Sequence, residues 1–71
     1  MKRVSTTTVD CFEIIVLEGV GIHGKPFWIT GRYMSGEIVD SGYHRSLAAT
    51  LKAEKTLIRR SMPVVKARRK V

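Results

Sequence analysis

Gly19-Val20-Gly21-Ile22-His23-Gly24-Lys25-Pro26-Phe27-Trp28-Ile29 is the stretch on which the fold turns. Its first six residues spell G-x-G-x-x-G directly after an apolar, β-prone run. A dinucleotide-binding loop has that spelling, but it works only when a helix follows, whose N-terminus holds the pyrophosphate within a βαβ unit. Here Lys25-Pro26 leads into Phe27-Trp28-Ile29, aromatic and β-branched residues that favour a strand. Strand, glycines, strand is a hairpin connection, which leaves at most a weak anion nest at Gly21–Lys25. A kinase-type glycine loop also lies between strands, but its machinery needs several times the 71 residues present.

Outward from this hairpin, Val9 to Leu17 alternates as a strand. Phe12, Ile14 and Val16 share one face, with Cys11, Glu13, Ile15 and Leu17 on the other. Lys25 to Tyr33 forms the second strand, with Phe27, Ile29 and Tyr33 opposite Trp28, Thr30 and Arg32. Pro26 is tolerated at a strand's start or edge. Met34-Ser35-Gly36-Glu37 reads as a tight turn into a third strand near Glu37–Ser41. Val4 to Thr8 is polar and β-branched, a frayed lead-in or short edge strand.

After Gly42 the period changes. Leu47, Leu51 and Ile58 fall within about 40° on a helical wheel, with Met62 close by, and predict an apolar seam. Ser46 is a candidate N-cap without a capping box, since Ala49 stands three residues on. Pro63 ends the helix, because the residue before a proline is pushed out of helical space. The expected helix runs from 46 to 61.

Charge is unevenly spread. Residues 1–36 carry four basic residues against three acidic, and residues 37–71 carry nine against three, for a formal charge of +7. That asymmetry points to a polyanionic partner. Arg45, Lys52 and Arg59 form one row on the helix, with Lys55 beside it and Arg60 adjacent, spaced to follow a phosphate backbone or an acidic protein groove. Lys66, Arg68, Arg69 and Lys70 put four cations and no acid in the last six residues, the composition of a flexible basic arm. On the sheet, Trp28 and Arg32 share a face on which bases could stack, although a core this small also needs its only tryptophan. The chain has no Asn and no Gln, so the side-chain amide reading of adenine is missing, which favours backbone or shape recognition.

Catalysis and metal binding find little support. Cys11, His23 and His44 with Asp10 or Asp40 match no paired zinc spacing. Cys11 reads as a small buried hydrophobe in a strand rather than a nucleophile. Glu13 and Glu18 fall on opposite strand faces. No enzyme, cofactor or small-molecule substrate is therefore expected. A lone thiol fits a reducing, cytoplasmic compartment, and the most apolar stretch, Ile14 to Ile22, is too short and too charged to span a membrane.

The expected architecture is α+β: a three-stranded antiparallel meander packed by one C-terminal helix. It assigns residues 1–8 to the lead-in, 9–62 to one compact domain and 63–71 to the arm. Glu37-Ile38-Val39-Asp40-Ser41-Gly42 running into the Ser46–Arg59 helix resembles, in topology, degenerate double-stranded-RNA-binding folds and HicB-type antitoxins. The order of three strands and a helix also resembles integrase amino-terminal and AP2-type DNA-binding domains. No diagnostic residue of these families is matched, so fold alone is implied. The functional expectation is a non-enzymatic regulator of nucleic-acid transactions, of transcription type, binding DNA or RNA backbone. The alternative is a phage- or plasmid-type inhibitor or adaptor docked on a host enzyme such as RNA polymerase.

Overall fold

Three reversals bend the first 44 residues into a single antiparallel sheet in the computed structural model, which describes residues 1–63. Asp10, with φ 55°, turns β1 (Lys2–Val9) into β2 (Phe12–Val20). Gly21–Lys25 joins β2 to β3 (Pro26–Met34). The Gly21 N–H donates to the Lys25 carbonyl at 2.8 Å and the Gly24 N–H to the Gly21 carbonyl at 2.9 Å, which tightens the connection. Ser35 (φ 53°) and Gly36 (φ 82°) are both left-handed, as a two-residue hairpin of the I′ type requires, and lead into β4 (Glu37–His44). The strands pair in chain order, β1-β2-β3-β4.

The expected three-stranded meander is corrected by this order: the sheet has four strands and begins at Lys2, not Val9. The lead-in assigned to 1–8 is β1, paired with β2 from Lys2 opposite Glu18 to Val9 opposite Phe12, with one irregularity between Arg3 and Ser5. Its polar composition left a frayed lead-in and a short edge strand both open, and the structure has the edge strand. An edge strand needs only one half-buried face, and Ser5, Thr7 and Val9 supply it beside Val16, Ile14 and Phe12. Threonine's branched Cβ suits the pleat as well as valine's does. The likeness to three-strand modules goes with the missing strand.

The helix, α1 (Leu47–Ser61), lies across one face of the sheet, closest to β3 and β2 and leaving β1 least covered. Ser46 caps it as expected, its Oγ accepting from the Ala49 N–H at 3.1 Å. Met62, extended at φ −71° and ψ 144°, stops it ahead of Pro63. The buried row, however, is not the expected apolar seam. Thr50, Leu57 and Ser61 are buried, while of the predicted seam Leu47 and Leu51 stay 50% and 49% exposed, Met62 is exposed too, and Ile58 is half-buried. The helix is rolled by about 90° from the seam that the leucines predict.

Hydroxyl chemistry explains the roll. Thr50 Oγ1 donates to the Ser46 carbonyl at 2.8 Å and Ser61 Oγ to the Leu57 carbonyl at 2.7 Å. Each hydroxyl is satisfied within the helix, so its burial leaves no polar group unpaired. Small side chains then let the helix approach the sheet where Trp28, Ile14 and Val16 complete the core. Among the described residues, no helix is long and apolar enough to cross a membrane.

Candidate nucleic-acid interface

The period-two alternation of the strands divides the sheet into a covered and an open face. On the covered face lie Ile14, Val16, Trp28, Thr30, Arg32 and His44, matched across the strands by register. Trp28 is 9% exposed, and Arg32 is held by Asp40 in the one ion pair among the described residues. The Arg32 guanidinium sits over the Phe12 ring, 4.6 Å from its centroid, and its side chain is 15% exposed. Both residues expected as a sheet-face contact are thus committed to packing under the helix. Beside them Thr30 Oγ1 and His44 Nε2 are 3.0 Å apart, at the wall of a cleft of about 230 Å³ that Asp40 and Arg60 share.

The expected helix contacts fare differently. Arg45, Lys52, Lys55, Arg59 and Arg60 are all exposed. Lys52, Lys55 and Arg59 fall within about 60° of one another, diametrically opposite the buried Thr50–Leu57–Ser61 row. Arg60 is rotated toward the cleft beside β4. The helix carries one acid, Glu54, and its carboxylate accepts from Ser5 Oγ at 3.0 Å on β1. The outward face is left with cations only. Lys66, Arg68, Arg69 and Lys70, the expected arm, lie outside the described residues.

The open face holds what sequence reasoning assigned elsewhere. Phe27 and Tyr43 stack with centroids 5.4 Å apart and planes at 23°. Glycines make room for the rings: a Cβ at Gly19 would meet the tip of Phe27 at 2.5 Å, and one at Gly31 would meet Tyr33 at 2.9 Å. At the end of this face, Gly21, Ile22, His23, Lys25, Pro26, Phe27, Tyr43 and Arg45 line a groove of about 470 Å³. The signal was present in the alternation of Phe27, Ile29 and Tyr33 against Gly19 and Gly31, glycines that a ring can lie upon. No His, Cys, Asp or Glu cluster among the described residues is placed to hold a metal ion. Set beside known protein families, curated proteins and solved structures, the chain matches none of them.

Proposed function

We propose that the chain is a small, non-enzymatic, cytoplasmic regulator of nucleic-acid transactions that holds a sugar-phosphate backbone on the outer face of α1. One observation carries this reading. Lys52, Lys55 and Arg59 project together from the solvent side while Glu54, the one helix acid, is turned away to Ser5. A cationic row without interspersed carboxylates attracts a polyanion over its whole length. Recognition is of backbone rather than base edges, in keeping with a chain that lacks Asn and Gln.

The test is a salt titration of binding to labelled duplex DNA, with the full chain and a K52E/K55E/R59E variant. Removing three phosphate contacts should flatten the log–log slope by about 2.7, at roughly 0.9 per neutralised charge. An unchanged slope in the folded variant would remove the helix from the interface.

A second reading rests on the free edge of β1. Ser5 to Val9 carries no charge and no proline, the usual guards against strand addition. Such an edge suits β-augmentation by a protein partner, as in an inhibitor or adaptor docked on a host enzyme such as RNA polymerase. Val9 and Phe12 close the β1–β2 turn as a hydrogen-bonded pair, so the alternate residues Thr6 and Thr8 turn their N–H groups to the free edge. Replacing Thr6 by proline would abolish capture of that partner and leave duplex binding unaltered.

A further inference from the structure

We infer that the open face of the sheet is a binding surface for single-stranded nucleic acid: unpaired bases stack at Tyr43 and Phe27, and Lys25 and Arg45 take the adjoining phosphates. Stacking needs an exposed aromatic plane and a backbone needs nearby cations, and the groove supplies both. Tyr43 is 59% exposed, leaving a broad surface of its side chain to solvent while it stacks on Phe27. Lys25 and Arg45 line the same groove, His23 adds a third nitrogen base, and no carboxylate is among the lining residues.

Geometry favours a strand of nucleic acid over an isolated nucleotide. From Phe27 the aromatic track continues along β3 to Tyr33, six residues or about 20 Å further at the strand rise. Half-buried Ile29 lies between them on the same face. Duplex DNA has its bases paired and stacked inside and cannot present them to such a track, whereas single strands can. A second copy of the chain seated here would bring its own Lys25 and Arg45 to a rim with no acid to pair them.

This surface is distinct from the cationic helix face, since the two look out from opposite sides of the sheet. Arg45 stands near both, so it is left out of the variants. The experiment is fluorescence anisotropy of a short labelled oligouridylate with the full chain, Y43A, Y43F, K25E and K52E/K55E/R59E. A parallel arm uses an abasic oligomer of equal charge. Loss of one stacked base should weaken oligouridylate binding about 5- to 150-fold in Y43A, with Y43F close to the parent. K25E should weaken it too, and the abasic oligomer should bind less tightly than oligouridylate.

Equal binding of the abasic and base-bearing oligomers would overturn the stacking surface, and that arm holds even if Y43A does not fold. So would a folded Y43A with parental affinity. A dimer in sedimentation that Y43A dissolves would place a second copy on this face and overturn it as well. Loss of duplex binding in the helix variant with oligouridylate binding retained would sink neither surface and separate the two.

Discussion

The two faces of the sheet depart from the usual division of polarity. Antiparallel sheets commonly bury an apolar face and show water a polar one. Here the covered face contains Thr30, Arg32, Asp40 and His44 beside Ile14, Val16 and Trp28, and the helix adds Thr50 and Ser61 to that interior. The open face carries Ile15, Leu17, Phe27, Ile29, Tyr33 and Tyr43, with Glu13 opposite Tyr33 and Thr6, Thr8 and Ser41 on the outer strands. The polar pairs under the helix are Arg32 with Asp40, Thr30 with His44, and the two hydroxyls with carbonyls one turn back; the buried Arg32 Nε alone is left without a hydrogen-bond partner among the described residues. Such pairing makes a polar interior tolerable. An apolar, aromatic face left toward solvent has no comparable compensation among the described residues, and surfaces of that kind mark interaction sites.

The comparison breaks most readily at Trp28. Among the described residues Ile14, Val16 and Leu57 are the other buried apolar side chains, so truncation of Trp28 to alanine opens the largest void this core can have. The expected loss is about 3–5 kcal/mol, comparable with the whole stability of a domain this small. Urea or thermal unfolding followed by circular dichroism measures it. A Trp28→Ala protein that kept its midpoint would mean that the covered face is not the core. Tyr43→Ala, on the other face, should leave the midpoint nearly in place.

Glycine-to-alanine exchanges sharpen the contrast because the same methyl group is added to each face. At Gly42, on the covered side, a Cβ would meet His44 Nε2 at 2.9 Å and Thr30 Oγ1 at 3.0 Å. Thr30 is fully buried and cannot yield, and half-buried His44 can move into its cleft only by giving up its contact with Thr30. Gly42→Ala should cost about 1–3 kcal/mol, the ordinary range for overpacking. At Gly19 the obstruction is the tip of Phe27, a half-buried ring that can swing toward solvent. Gly19→Ala should therefore change stability by less than about 1 kcal/mol, since alanine also recovers strand propensity lost to glycine. Equal costs at the two sites, measured by chemical denaturation, would mean that the open face is packed as tightly as the covered one.

Much of this division was legible in the sequence, and the failures have specific causes. The alternation of Phe12, Ile14 and Val16, the Ser35-Gly36 turn, the Ser46 cap and the stop before Pro63 all stand in the structure. Each depends on local backbone chemistry. What escaped depends on partners distant in the chain. β1 is threonine-rich, and its pairing is decided by Phe12 to Glu18 rather than by its own hydrophobicity. The helix face was misjudged because Thr50 and Ser61 read as polar until their hydroxyls are seen bonded to carbonyls four residues back. The aromatic groove joins the β2–β3 loop to the end of β4, which no window of sequence spans.

The smallest expected effect tests the roll of the helix. If Leu47, Leu51 and Ile58, with Met62 close by, formed the buried seam that helical spacing predicts, a charge at Leu51 would be forced into the core and destroy the fold. In the structure Leu51 is half exposed, on the flank of α1 that Glu54 and its bond to Ser5 orient toward β1. A lysine there can lay its methylenes along the flank and keep its ammonium in water. Leu51→Lys should thus shift stability by no more than about 0.5 kcal/mol, the range of ordinary surface changes. Leu57→Lys, six residues on and buried, should unfold the chain. The pair isolates rotation from helix propensity, because the same exchange is made on the same helix and only the facing differs. Comparable damage from both would return the leucine seam to the core and turn Thr50 and Ser61 outward.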